Sequence, residues 1–214
     1  AYHTADPRPI LMVGYNRRFS AHAARLRAWI AAAGEQPVIR YRINAGAIPR
    51  THWVQDRERG GGRILGEVCH FVDLCTFLAD SPVAEVYAAA LQTPGDDTGD
   101  SVCIILKHQS GARATIDYLA NGDPSLPKEF IEIFCARGIA TCDDFIVTRF
   151  VRGGKETKLR TSGADKGFDA ELDAFRRAAL GIAPPPIAFD AILNTSKTTF
   201  RILESIATGA AVRV

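Results

Sequence analysis

A helix with two different faces is predicted by the stretch Gly60-Gly61-Gly62-Arg63-Ile64-Leu65-Gly66-Glu67-Val68-Cys69-His70-Phe71-Val72-Asp73-Leu74. At 3.6 residues per turn, Glu67, His70 and Asp73 are neighbours along one side. The opposite side is apolar and suits a protein core. Because Gly66 and Phe77 share the polar side, we expect that side to meet a ligand pocket or a partner domain. The structural alternative, a histidine that serves only packing or the surface, is the commoner role of a helical histidine.

The segments around this helix predict a fold of the α+β class. A first helix spans Ala21 to Ala33, with Ser20 as its N-cap and Gly34 as its stop. Short strands joined by tight turns favour a mainly antiparallel open sheet covered on one face by helices. The predicted strands are Pro37 to Ile43, Val83 to Leu91, Asp100 to His108, Ala112 to Ala120, Lys128 to Ala136, Ile139 to Cys142, Phe145 to Val151 and Lys155 to Leu159, and the closing helices are Phe168 to Leu180 and Phe189 to Ala207.

Apolar residues occupy both faces of several predicted strands. In the strand that contains Phe145 to Val151, Val147 and Val151 alternate with Ile146 and Phe150. A sheet face too apolar for water is a candidate interface between subunits. The sequence therefore predicts a homo-oligomer that forms through the open face of the sheet.

Composition is that of an ordinary globular domain. Of the 214 residues, 47% are hydrophobic and 23% are charged, and the formal net charge is +2. This balance favours neither nucleic acid nor a membrane as a partner. The five cysteines form no C-x-x-C pair, which favours reduced thiols in a cytoplasmic protein. No spacing matches a standard zinc pattern, so no metal site is predicted.

The first residues are interpreted as the end of an α/β unit. Ile10 to Gly14 is a short apolar run typical of a buried parallel strand. Asn16 and Arg17 follow it directly, at the strand end where ligands of α/β sheets bind. The chain does not begin with Met, and we expect it to be a fragment of something longer.

Three segments together resemble one enzyme family. They are the Ile10–Phe19 segment, the Gly60–Asp73 helix and the closing sequence Leu203-Glu204-Ser205-Ile206-Ala207-Thr208-Gly209. The chain resembles the C-terminal, substrate-binding part of the Gfo/Idh/MocA oxidoreductases, nicotinamide-dependent enzymes that act on sugars, inositols and related alcohols. His52-Trp53-Val54-Gln55-Asp56 and Gly66–Phe71 further resemble a subgroup fused to a zinc-type alcohol-dehydrogenase-like domain.

The resemblance implies an architecture and a missing partner. It implies an open-sheet domain like the C-terminal domains of dihydrodipicolinate reductase and glyceraldehyde-3-phosphate dehydrogenase, over residues 20–214. Residues 1–19 would be the remnant of the nucleotide-binding (Rossmann) domain. The chain has no G-x-G-x-x-G after a strand and no Glu-Lys-Pro motif. NAD or NADP is therefore expected in the full-length protein and not on this chain alone, where the nucleotide-binding domain is missing.

The resemblance also implies roles for individual residues. His70 is expected to be the general base or a proton relay, as a neutral imidazole near its unperturbed pKa, with Glu67 orienting it. The family's acid lies four residues before the histidine, where this chain has Gly66, so the acid is displaced by one position. The expected contacts with a carbohydrate-like substrate are Asn16, Arg17, His52, Trp53, Gln55, Asp73, Tyr118 and Lys128, and the expected contacts with the cofactor are Asn16 and Arg17.

Two further hypotheses assign the chain to other functional classes of protein. Without a nucleotide fold, the chain is a ligand-binding or assembly domain whose sheet mediates oligomerisation. Alternatively, Glu67, His70 and Asp73 are metal ligands of an isomerase that needs no nicotinamide.

Overall fold

The computed structural model describes residue 2 and residues 9–56, 58–92 and 99–214. Nine strands lie within these residues: β1 Val38–Asn44, β2 Val83–Ala90, β3 Val102–His108, β4 Arg113–Leu119, β5 Glu129–Cys135, β6 Gly138–Asp143, β7 Val147–Arg152, β8 Lys155–Arg160 and β9 Val212–Arg213. They form one sheet in the order β8-β7-β6-β5-β1-β4-β3-β2-β9. Every neighbouring pair is antiparallel except β1 and β4, which are parallel. The predicted fold class is confirmed.

Four α-helices complete the domain: α1 Ala21–Ala33, α2 Cys69–Ala79, α3 Phe168–Ala179 and α4 Phe189–Thr208. The ends of α1 follow from local chemistry, because the Ser20 side chain accepts a hydrogen bond from the His22 N–H and Gly34 takes a left-handed conformation. Gly209 ends α4 in the same left-handed way, as the sequence indicates.

The core lies between the helices and one face of the sheet. Alternate residues of the central strands point into it, so buried and exposed residues alternate along the whole length of β3. Phe71 of α2 packs its ring edge-on against Tyr41 of β1, with the centroids 5.3 Å apart. This packing fixes α2 over the centre of the sheet, where β1 and β4 run side by side.

The opposite face of the sheet stays open and mixes apolar with charged side chains. Val38, Tyr87, Ile105 and Phe134 are each 40–48% exposed. Between them lie ion pairs such as Arg40 with Glu132, at 3.3 Å.

The strand predicted at Ile10 to Gly14 is wrong. Residues 10–14 have no regular structure, and a short 3-10 helix, Asn16–Phe19, follows. A strand needs a neighbour for its backbone N–H and C=O groups, and the described part of the chain offers this segment none. Strand β9, which pairs with β2, was in turn not predicted.

The glycine-led helix also differs from the predicted one. It begins as a π-helical turn, Ile64–Val68, and becomes regular only at Cys69. Such turns widen the helix by one residue and are frequent at functional sites. At Gly60 a side chain is impossible, because a Cβ atom would lie 2.5 Å from the Trp53 carbonyl oxygen and the Val54 Cα.

Candidate active site

A cluster of polar side chains lies at one end of the sheet, where β1 and β4 end and β5 begins. The π-helical turn brings Glu67 over this edge, Tyr118 reaches it from β4, and Lys128 immediately precedes β5. Residues 51 and 61 positions apart in the chain meet here. Ligands of open α/β sheets bind at comparable strand ends.

Glu67 is the centre of this cluster. Lys128 Nζ donates to its Oε1 at 2.5 Å, and the Tyr118 hydroxyl donates to its Oε2. Arg63, one turn earlier, lies 3.1 Å from the same Oε2. Burial alone would raise the pKa of Glu67, but the hydrogen bonds from Lys128 and Tyr118 and the charge of Arg63 lower it below its usual value. Glu67 is therefore a fixed carboxylate at neutral pH.

Tyr118 stays protonated beside this carboxylate. Its burial, followed by the negative charge of Glu67, raises the pKa of the phenol well above its usual range. Tyr118 thus acts as a hydrogen-bond donor that orients Glu67. Of the predicted substrate contacts, Tyr118 and Lys128 are the two that the structure brings to Glu67.

His70 lies one turn beyond Glu67 and is held as a neutral imidazole. Burial, and then the nearby positive charge of Arg17, lower its pKa to about 4. Its Nδ1 is buried and has no hydrogen-bond partner among the described residues. The Tyr15 ring meets the imidazole edge-on, with centroids 5.8 Å apart. The sequence analysis placed this pKa near its unperturbed value; the enclosed position of the ring makes it lower.

Arg17 points into the protein interior. Its guanidinium makes a two-pronged ion pair with Glu129 of β5, at 2.7 and 2.9 Å, and covers the Phe71 ring. Arg17 was predicted to contact cofactor or substrate. In the structure its guanidinium is paired with the Glu129 carboxylate. Its positive charge also helps to lower the pKa of His70.

Asn16 is also engaged in contacts within the protein. It is 2% exposed, and its Nδ2 donates to the Lys166 carbonyl oxygen at 2.8 Å. The sequence analysis gave it the same cofactor and substrate contacts as Arg17. The structure gives it a role in anchoring the 3-10 turn, because the predicted strand that would have presented it at a sheet edge is absent.

Asp73 is buried in a salt bridge rather than open to a ligand. Arg18 donates to both of its carboxylate oxygens, at 2.8 and 2.5 Å. Burial raises the pKa of Asp73 to about 6, and the Arg18 pair limits the rise. This position on the helix therefore holds α2 to the 3-10 turn.

The loop before the helix carries the remaining predicted contacts. Trp53 is 59% exposed, and the His52 ring accepts from the Val54 N–H, which caps the short helix Trp53–Gln55. Gln55 donates to Asp100 at 2.6 Å, and Asp100 lies 3.7 Å from Arg63. Within the described residues, none of these three loop residues forms a hydrogen bond or an ion pair with Glu67. Gln55 is linked to the cluster through Asp100 and Arg63.

Two residues of the site escaped the sequence analysis. Arg63 donates to the Gly46 and Ala45 carbonyl oxygens as well as to Glu67, so it ties the loop to the helix. Its position four residues before Glu67 was a usable signal. Glu129 also went unnoticed, although a lone acid at an inward position of an apolar strand predicts a buried ion pair.

The described residues hold no group of three or more histidine, cysteine, aspartate or glutamate side chains arranged to bind a metal. In particular, Asp73 faces Arg18 while Glu67 faces Lys128. The metal-dependent isomerase has therefore no support in the part of the chain described. Among the same residues, no helix has both the length and the hydropathy needed to span a membrane.

The open antiparallel sheet backed by helices, with an acid and a histidine on a glycine-led helix, is the architecture of a known class of C-terminal domains. Residues 24–141 match the model of the GFO/IDH/MocA C-terminal domain, and the chain belongs to this family. An oxidoreductase of Bacillus subtilis, YrbE, described as uncharacterized, is 28% identical over 141 residues, which are 63% of this chain and 40% of YrbE.

Two solved structures share the fold. The aldose-aldose oxidoreductase of Caulobacter crescentus, complexed with glycerol, superposes with a TM-score of 0.79 at 18% identity, over 95% of this chain and 64% of that one. GenD2 from gentamicin A biosynthesis, in complex with NAD, gives 0.75 at 18% identity, over 100% of this chain and 66% of that one. The chain thus spans about two thirds of these structures and less than half of YrbE.

Proposed function

We propose that this chain is the substrate-binding and catalytic-helix part of a nicotinamide-dependent oxidoreductase that acts on a hydroxyl of a sugar, nucleotide sugar or cyclitol. One observation carries the proposal: a neutral, enclosed His70 stands one turn from a carboxylate that Lys128, Tyr118 and Arg63 hold in place. The glycerol and NAD in the two related structures support the substrate and cofactor classes.

The chain's own contribution is the handling of the hydroxyl proton. A neutral imidazole can accept a hydrogen bond and then the proton of a bound hydroxyl. The carboxylate of Glu67 stabilises the imidazolium that forms, because its charge opposes the effect of Arg17 on the pKa of His70. The Lys128 side chain is 38% exposed, and its ammonium group can also meet a substrate oxygen.

The nicotinamide, when bound, would accept the hydride. The described residues of this chain do not fit a dinucleotide, since among them no glycine-rich turn joins a strand to a helix in the way that phosphate binding requires. We therefore assign cofactor binding to a nucleotide-binding domain outside this chain, adjoining residues 1–19. The test is the complete gene product with NAD or NADP and a panel of sugars and cyclitols. Formation of reduced nicotinamide supports the proposal, and its absence with every pair contradicts it.

Lys128→Met should lower kcat/KM about 10- to 100-fold, the equivalent of one hydrogen bond between charged groups. Without the ammonium group, burial dominates and the pKa of Glu67 rises, which weakens its support of His70. The measurement is the pH profile of kcat/KM. Lys128→Arg keeps the charge and should retain most of the rate, whereas equal losses in both variants would show that packing alone matters.

The open face of the sheet supports a second, compatible proposal: the chain assembles with copies of itself, and in a non-catalytic protein this would be its main role. The observation is the row of 40–48% exposed apolar residues Val38, Tyr87, Ile105 and Phe134. Ile105→Lys should shift the sedimentation coefficient towards the monomer value. A wild-type chain that sediments as a monomer at high concentration contradicts self-assembly.

A further inference from the structure

A cavity of about 710 Å³ opens beside the Glu67 cluster, at the same end of the sheet. It is lined by the ends of β1, β6, β7 and β8 and by the loop that leads into β5. Lys128 belongs to both places: it lines this cavity and donates to Glu67. The volume is in the range of small-molecule sites, ~300–1,000 Å³.

The wall formed by the loop before β5 is held in place by the protein's own contacts. Asn44 Nδ2 donates to the carbonyl oxygens of Asp123 and Leu126, at 2.6 and 3.2 Å. The Asn44 N–H donates to the Lys128 carbonyl oxygen at 2.7 Å, which joins β1 to the same loop. A ligand would therefore find this side of the cavity already shaped.

The charges of the cavity favour an anion. Arg149 and Arg160 line it, both are exposed, and neither side chain has an ion-pair or hydrogen-bond partner within the described residues. Two acids also line it, but Asp144 is paired with Lys166 at 3.1 Å, which leaves Asp143 as the remaining negative group. Guanidinium groups bind phosphate and carboxylate through paired N–H donors.

We propose that this cavity binds the anionic group of the substrate: a phosphate ester or a carboxylate carried by the sugar whose hydroxyl lies at His70 and Glu67. Lys128 marks the boundary, with the reacting part on its Glu67 side and the anion on its arginine side. The inference rests on the proposed function and narrows its substrate class from sugars, nucleotide sugars and cyclitols to sugars that carry an anionic group.

The test is isothermal titration calorimetry of the full chain without nicotinamide, with glucose, glucose 1-phosphate and glucuronate as probes. Glucose 1-phosphate or glucuronate should bind at least about 10-fold more tightly than glucose, which corresponds to one hydrogen bond between charged groups. The tighter of the two identifies the anion as phosphate or carboxylate. The double variant Arg149→Gln/Arg160→Gln should abolish this preference and leave glucose binding unchanged.

A charge-matched control is available at the opposite end of the sheet. Arg137 and Lys155 are exposed there. Arg137→Gln/Lys155→Gln removes an equal number of positive charges and changes no residue that lines the cavity. The inference is overturned if neither anion binds more tightly than glucose, or if both double variants weaken the anion equally. Those results leave the oxidoreductase proposal standing, because that proposal is tested by hydride transfer to NAD or NADP.

Discussion

His70→Ala should lower kcat of the complete oxidoreductase by about 10²- to 10⁴-fold, the usual effect of removing a positioned acid–base group. Cofactor affinity should stay unchanged, since the imidazole lies among Tyr15, Arg17 and Glu67 of this chain. The measurement is steady-state formation of reduced nicotinamide, with free imidazole added to restore part of the rate. A near-wild-type kcat in the variant would remove His70 from the mechanism.

The pH dependence of the wild type tests the same assignment. A base works only when it is deprotonated, and burial together with Arg17 lowers the pKa of His70 to about 4. The rate should therefore stay high as the pH falls from neutrality and decline only near pH 4. An acidic limb centred near 6.5, the pKa of an unperturbed histidine, would contradict the enclosed, neutral imidazole described above.

Local signals in the sequence predicted most of the fold. Ser20 and Gly34 set the ends of α1 through contacts within a few residues, and short apolar runs between turn residues predicted the strands β1 to β8. The strand prediction at Ile10 to Gly14 failed because strand formation is not decided locally. The composition of this segment suits a strand, but whether a strand forms depends on a neighbour elsewhere in the protein, and composition carries no information about that neighbour.

The candidate site shows the same limit. Glu67 and His70 could be predicted because one helix carries both. The pairing of Arg17 with Glu129 could not be predicted, because Glu129 lies 112 residues away and the two meet only after β5 joins the sheet. An arginine after an apolar run is equally compatible with a ligand contact and with a buried ion pair. Only the fold distinguishes the two.

That buried pair leads to the largest expected effect on stability. Glu129 is 1% exposed, and its carboxylate accepts hydrogen bonds from Arg17, Lys166 and the Tyr41 hydroxyl. Glu129→Ala would leave Arg17 without its counterion in the interior, whereas Lys166 would keep its ion pair with Asp144. Breaking a buried pair from one side costs about 3–5 kcal/mol, so the free energy of unfolding should fall by that amount in chemical denaturation.

Glu132 provides the matched control on the same strand. It faces the open side of the sheet and pairs with Arg40, whose side chain is 60% exposed. Exposed pairs contribute about 0–1 kcal/mol, so Glu132→Ala should change stability little. Equal losses in the two variants would mean that strand propensity, rather than the buried ion pair, determines the stability of β5.

Titration of the wild type gives an independent measure of this ion-pair network. Burial would raise the pKa of Glu129, but Arg17 and then Lys166 lower it from 4.5 to about 2. A carboxyl group with a depressed pKa in the folded state stabilises the protein above the unfolded value and loses that contribution as the pH falls. The free energy of unfolding should therefore decline between about pH 4.5 and 2. Glu129→Ala should remove that part of the decline, because it has no carboxyl group left to protonate.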